Sequence, residues 1–231
     1  MAAPAIHVGV VMPASNTTLE PELQAWFPQP IRLSIQRITR PGGMLRPQDL
    51  PAERERVAAA GEALRREQPD VVIMGCTAAG FLAGPQGDLD FCSDLQQATG
   101  APTVSAAGSM LAALRASNAE SVSVLTPYGP VVNDALRDFL QRSGLRIAAF
   151  QGFEVANVQE LLAIDERRVA ERARQAAAEP SDAIFIACSQ LPTHGVLGPL
   201  SREAARPAWS SIKAAAWNAC AALGLSIRSE A

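Results

Sequence analysis

Short runs of strand-forming residues alternate with longer amphipathic stretches along the whole chain. The apolar runs Ile6–Met12, Ile31–Ile38, Val71–Met74, Pro102–Ser105, Ser121–Leu125, Leu145–Phe150 and Ala183–Ala187 read as strands, with a further short one after Arg206. The stretches Leu19–Trp26, Asp49–Glu67, Asp88–Thr99, Ala107–Ala116, Val131–Arg142, Ile164–Ala178 and Ser210–Leu223 read as helices. Between Ala52 and Arg66 the chain is rich in Ala, Glu and Arg, with Val57 and Leu64 on one face. Strands alternating with helices predict an α/β protein with mostly parallel sheet covered on both sides.

The order of landmarks repeats. Val8-Gly9-Val10-Val11-Met12-Pro13 resembles Val122-Ser123-Val124-Leu125-Thr126-Pro127, and a cysteine follows each at nearly the same interval, Cys76 and Cys188. After each cysteine comes another small-residue strand-to-helix turn, Pro102–Ser105 and then Pro207–Ser210. The expectation is two pseudo-symmetric halves, 1–117 and 118–231, with the C-terminal helix free to pack back onto the first. A pseudo-twofold axis would bring the equivalent loops together at the interface between the halves.

Composition narrows the function. The 231 residues carry a net charge of −3, with 48% hydrophobic and 19% charged residues, so nothing points to nucleic acid or to an anionic membrane surface. No apolar run approaches the roughly 18 residues of a membrane span, and the start of the chain lacks the basic region of a signal peptide. The four cysteines show no CxxC spacing, which argues against zinc sites and thioredoxin-like motifs and places the protein in the reducing cytoplasm. The glycine patterns that cradle nucleotide phosphates are absent, and His7 and His194 form no metal-ligand pair.

Candidate chemistry concentrates at the strand ends. Cys76 follows Val71–Gly75 and precedes Thr77; Cys188 follows Ala183–Ala187 and precedes Ser189. A cysteine where a buried strand meets the next helix points into the crevice in which open α/β sheets bind ligands. A single free cysteine is as readily a small buried apolar residue; two at matched positions favour a pair of thiols facing one substrate. Cys92 and Cys220 fall inside helices and read as packing residues. Thr77 and Ser189 add donors beside each sulfur. The turn Pro13–Thr18 offers Asn16 and neighbouring hydroxyls, as helix caps or as neutral anion donors. Tyr128, the only tyrosine, follows Pro127 and is placed to bind a carboxylate or carry a proton. Asn157 precedes an apolar stretch and alone reads as an N-cap. No Lys or Arg lies within the three strand-end motifs, so an anionic substrate is expected to be held by amides, hydroxyls and carboxamides. The stretch Ala78–Leu82 reads as an apolar loop.

At these residues the chain resembles the maleate cis–trans isomerases of the aspartate/glutamate racemase superfamily. Pro13–Thr18 with Glu20 and Glu22 is similar to their first motif, Gly75-Cys76-Thr77 and Cys188-Ser189 to their two cysteine motifs, and Tyr128 and Asn157 to their tyrosine and second asparagine. The resemblance implies two pseudo-symmetric parallel-sheet α/β domains of the aspartate/glutamate racemase type with the active site between them, no cofactor, no metal, and a homodimer or larger assembly. It implies catalysis by Cys76 and Cys188, with Asn16, Thr77, Ala78, Tyr128, Asn157, Ser189 and Gln190 binding a small dicarboxylate, most simply maleate converted to fumarate by thiolate addition and elimination. Pseudo-symmetry lets either thiol be the nucleophile. Asn16 and Gln190 stand where amino-acid racemases place an acid and a histidine, and arylmalonate decarboxylases keep only the second cysteine. The apolar Ala78–Leu82 leaves room for a different substrate, as in the related ectoine-utilisation proteins. A racemase or epimerase using both thiols as opposed bases, and a non-catalytic binder of small acids, are the alternatives.

Overall fold

The computed structural model describes residues 5–228; the outer ends of the two expected halves, 1–4 and 229–231, lie outside the described residues. Two four-stranded sheets form, both wholly parallel. The first contains β1 (Ile6–Pro13), β2 (Ile31–Ile38), β3 (Val71–Met74) and β4 (Thr103–Ser105) in the order β2-β1-β3-β4. The second contains β5 (Ser121–Thr126), β6 (Arg146–Gly152), β7 (Ala183–Ile186) and β8 (Ala208–Ser210) in the order β6-β5-β7-β8. The second sheet thus repeats the strand order of the first. Strands β3, β5 and β7 are buried throughout, and β1 to its penultimate residue. Helices cover both faces of a parallel sheet, so its central strands read as unbroken apolar runs.

This order fixes where a ligand fits. In each sheet the chain leaves the first strand toward one neighbour and returns to pair on the other side, which opens a crevice beyond the carboxyl ends of the two central strands. In the first sheet that crevice lies past β1 and β3, where Pro13–Asn16 and Cys76 follow. In the second it lies past β5 and β7, where Tyr128 and Cys188 follow.

The helices are α1 (Leu19–Trp26), α2 (Leu50–Arg65), α3 (Thr77–Thr99), α4 (Ala106–Ala116), α5 (Pro130–Arg142), α6 (Val158–Leu162), α7 (Glu166–Ala176), α8 (His194–Ala204) and α9 (Ser211–Ala222). Three differ from the sequence expectation. Helix α3 starts directly after Cys76, so Ala78–Leu82 is helix rather than loop; the break falls within it at Gly84 (φ +75°), ahead of Pro85. A residue before proline is driven out of the helical region, and glycine tolerates the left-handed one; the Gly-Pro pair masks the helical turn preceding it. Helix α8 hides behind Gly195, Gly198 and Pro199, all poor helix formers. The expected helix from Ile164 is α7, and a separate short helix, α6, precedes it, each with its own cap: Asn157 accepts from the Glu160 N–H, and Asp165 from the Arg168 N–H.

Helix α9 packs on α1 and α4 and against β3 and β4, so this helix lies on the first sheet. Its buried Ala214, Ala215, Ala216 and Ala219 permit that close approach. Trp209 donates through Nε1 to the Ser117 hydroxyl at 2.9 Å, and Asn218 donates to Ser109 at 3.1 Å, tying the two sheets together. Among the described residues no helix is long and apolar enough to cross a membrane, and no cluster of three or more metal-ligating side chains occurs.

Candidate functional site

Cys76 is the N-cap of α3, with ordinary extended backbone (φ −95°, ψ 98°). The first amides of a helix have no intrahelical partner and carry partial positive charge, so the sulfur sits at the positive end of α3. Arg40, two residues past the end of β2, places Nη2 3.2 Å from Cys76 Sγ. Arg40 is itself gripped by Glu53 of α2, with Nε 2.9 Å from Oε2 and Nη2 bonded to Oε1. The Glu53 side chain is 0% exposed and that of Arg40 8%. Burial opposes charge on Arg40, but Cys76 and Glu53 beside it outweigh that and raise its pKa, so the guanidinium stays protonated.

Cys188 is set differently. Its φ is +89°, a region L-residues rarely adopt, at a cost of about 1–3 kcal/mol. The strain is held by surrounding bonds: the Ala187 N–H donates to the Leu125 carbonyl at 2.8 Å, and the Cys188 N–H to the Ser211 hydroxyl at 3.0 Å. The helix that follows, α8, begins only at His194. Burial pushes the Cys188 thiol up to about 11, and the charge of Cys76 adds to it. The N–H groups of Gln190 and Leu191 and the Tyr128 hydroxyl pull the other way without prevailing. Cys188 is therefore a thiol at neutral pH. Burial, then the charges of Cys188 and Cys76, push the Tyr128 phenol well above its usual range, so it too keeps its proton. Phe81 of α3 meets the Tyr128 ring edge-on at 5.5 Å.

Both sulfurs line one small cavity of about 50 Å³ between the sheets. Asn16, Thr77, Ala78, Tyr128, Ser189 and Gln190 line it as well, together with Arg40 and an apolar wall of Met44, Leu45, Val158 and Leu161. The polar groups are unequally free. Asn16 donates to both the carbonyl and the hydroxyl of Ser189 (3.1 and 3.0 Å) and accepts from the Thr18 and Leu19 N–H groups, which uses its whole amide. Ser189 donates to the Gly75 carbonyl. Gln190 accepts from the Thr17 N–H at 2.9 Å and donates to the hydroxyls of Thr17 and Thr18. These three residues therefore stitch one half of the chain to the other. The Thr77 hydroxyl, by contrast, is buried, lies beside the Tyr128 phenol and lines the cavity.

Two expectations change. Asn157 lies outside this cavity: it is exposed, caps α6, and lines a wider outer cleft of about 430 Å³ beside Pro41–Gly43. The sequence also placed no cation at the site, whereas Arg40 lines both the inner cavity and the outer cleft. Arg40 sits past a strand whose end was not counted among the motifs. The legible signal was its partner: Glu53 shares one face of α2 with Val57, Ala60, Gly61 and Leu64, all buried, and an acid on an apolar stripe demands a cation. His194 also lies away from the thiols: its N–H donates to Glu22 and its ring packs on Trp26 at 4.8 Å.

The inner cavity is small for a four-carbon diacid, since a cavity of about 150 Å³ is needed to admit benzene. Its roof is the contact between Gly43 and Val158, where a Cβ on Gly43 would stand 2.9 Å from Val158 Cγ2. Arg40, Gly43 and Val158 line both this cavity and the outer cleft.

The sequence profile of the arylmalonate decarboxylase family matches residues 8–231. The maleate isomerase of Nocardia farcinica (strain IFM 10152) is 27% identical over 236 residues, covering 96% of this chain and 91% of that protein. The arylmalonate decarboxylase of Bordetella bronchiseptica is 26% identical over 179 residues, covering 77% and 75% respectively. Among solved structures, a cysteine-to-serine mutant of the Nocardia farcinica maleate cis-trans isomerase, with a covalently bound succinylcysteine intermediate, superposes with a TM-score of 0.86 at 25% identity over 96% of this chain and 94% of that one.

Proposed function

The chain belongs to the arylmalonate decarboxylase family, and from there we propose that it is a cofactor-independent cis–trans isomerase of a small unsaturated dicarboxylate, with maleate to fumarate as the reaction. The observation that carries this reading is the pairing of two unlike cysteines on one small cavity, Cys76 at a helix N-terminus and Cys188 held as a thiol. A decarboxylation needs one proton donor; two sulfurs facing each other fit addition and protonation at neighbouring carbons.

The Cys76 thiolate donates its lone pair to one alkene carbon, forming a C–S bond. The π pair moves to the adjacent carbon and its carboxylate, and Cys188 delivers its proton there, leaving a succinyl thioether with a rotatable C–C single bond. After rotation the Cys188 thiolate removes the proton, the double bond re-forms as trans, and Cys76 departs as thiolate. Atoms and charge return to their starting places. Tyr128, Thr77 and the amides of Thr77 and Ala78 are the donors for the carboxylates and the charge that develops on them. Asn16, Ser189 and Gln190 act by fixing the two halves around the substrate; Asn157 reaches it only from the outer cleft. The division at 117/118 separates the two thiols, and four free cysteines fit a reducing cytoplasm.

Proton NMR of the protein with maleate in D₂O, beside Cys76→Ala, tests the reading. Fumarate from the intact protein alone supports it. No fumarate, with α-proton exchange on a chiral acid instead, selects a two-thiol racemase.

A further inference from the structure

We infer that Arg40, pinned by buried Glu53, is the counter-ion of the Cys76 thiolate in the free protein and takes the substrate carboxylate next to the attacked carbon once the sulfur has added. The carboxylate half of this inference rests on the function proposed above; the thiolate half does not.

The geometry supplies the argument. A guanidinium has five N–H donors in a planar fork. Glu53 takes Nε and one Nη2 donor, and the remaining Nη2 direction meets Cys76 Sγ at 3.2 Å. The two Nη1 donors have no protein partner among the described residues, and Arg40 borders both the inner cavity and the outer cleft. Arg40 is therefore a fork with one tine on the sulfur and another open toward where a substrate enters. The other charged or titratable groups around the sulfur are Cys188 and Tyr128 across the cavity, Glu53 behind the guanidinium, and Arg56, which pairs with Glu53 at 3.5 Å. Of these side chains, Arg40 alone brings a positive charge to the sulfur, beside the amides that begin α3. When the thiolate adds, its lone pair becomes the C–S bond, the π pair moves to the neighbouring carbon and takes the Cys188 proton, and the carboxylate on the attacked carbon remains anionic beside the sulfur. The sulfur is then neutral, and the guanidinium, already adjacent, keeps an anionic partner without gaining or losing a proton. Elimination reverses the exchange. A buried cation that always has an anion avoids the penalty of an unpaired charge.

Arg40 is thus a positioning residue for the nucleophile, and charge and packing roles separate experimentally. The measurement is the pH dependence of Cys76 alkylation by iodoacetamide in the full chain, read by peptide mass spectrometry. Because Arg40→Leu alone strands the buried Glu53 carboxylate, the informative variant is R40L/E53L, which removes both charges, with R40K and E53Q beside it. R40L/E53L is expected to move the alkylation profile upward by about 1–3 pH units, and R40K to restore most of that shift. E53Q, which removes the competing anion, is expected to move the profile the opposite way; a purely structural role moves both variants in the same direction. An unmoved profile in R40L/E53L with native circular dichroism overturns the thiolate half. For the carboxylate half, succinate is expected to protect Cys76 from alkylation in the wild type at least tenfold better than in R40L/E53L, and equal protection overturns it. Absence of maleate turnover leaves the alkylation result readable, so failure of the proposed function and failure of this inference are distinct.

Discussion

Cys76 and Cys188 stand at matched ends of matched strands, yet one has a guanidinium at 3.2 Å and ordinary backbone, while the other has φ +89° and a thiol pushed up to about 11. The stretch after β2 supplies Arg40; the corresponding stretch after β6, Phe153-Glu154-Val155-Ala156-Asn157, supplies no cation. Repetition of the topology has repeated the positions of the sulfurs but not their electrostatics, and in the proposed reaction this asymmetry suits Cys76 to attack and Cys188 to carry the proton. A second matched pair diverges in the same way. Ser105 and Ser210 both cap the helices that follow β4 and β8. Ser105 donates to Asp88 of its own half at 2.7 Å, whereas Ser210 meets Thr193, which donates to Glu22 from the opposite half at 2.8 Å. One cap is internal; its counterpart helps fasten the halves together.

The largest expected effect comes from removing the second thiol. Cys188→Ser retains addition at Cys76 but loses the matched acid, and turnover of maleate is expected to fall by about 10²–10⁴-fold, with intact-mass spectrometry showing a protein adduct of one maleic acid that Cys76→Ala never forms. Turnover within a few-fold of wild type would mean that Cys188 carries no proton. The alkaline limb of the rate profile is expected near pH 11, as the Cys188 thiol ionises.

A smaller effect separates the two serine caps. Burial pushes Asp88 up to about 6, against an ordinary value near 3.8, and its Oδ1 has no hydrogen-bond partner. With the folded pKa above the unfolded one, the stability Asp88 contributes is complete below about pH 4 and is lost as pH rises to about 6. Asp88→Asn is therefore expected to be more stable than wild type at pH 7 by up to about 3 kcal/mol and to lose that advantage at pH 4, as measured by urea unfolding. A difference that does not change with pH would show that the carboxyl does not titrate there. The mildest effect lies at the cavity roof. Gly43 has φ +71° and its Cβ position abuts Val158, so Gly43→Ala is expected to strain the 40–45 loop by about 1–2 kcal/mol and to alter KM for maleate more than kcat. The global unfolding midpoint and the two kinetic constants together check this.

Most strands were legible because central parallel strands, buried on both faces, appear as plain apolar runs, as Val71–Met74 does residue for residue; the edge strand Ile31–Ile38, half-exposed, was legible from its β-forming residues instead. The helices that were missed are α8, rich in poor helix formers, the first turns of α3, masked by the Gly84-Pro85 break, and the short α6. At the site, Cys76, Cys188, Thr77 and Tyr128 could be read from strand-end spacing, because the switch point of an open sheet determines which chain ends meet. Asn16 and Gln190 were read as ligand donors; which donors are already spent depends on the opposite half, far away in sequence, and here each is bonded across the interface.

The order of apolar runs and turns was enough to determine a duplicated parallel α/β chain with one cysteine at the end of the third strand of each half. That information is local, carried by period and by chain interval. The tertiary structure alone decided that Arg40 and Glu53, from a loop and a helix, reach Cys76 while no cation reaches Cys188, and that Asn157 faces the outer cleft. Charge acts through space and falls off with distance, so the difference between two sulfurs in like sequence settings appears only when the chain is folded around them.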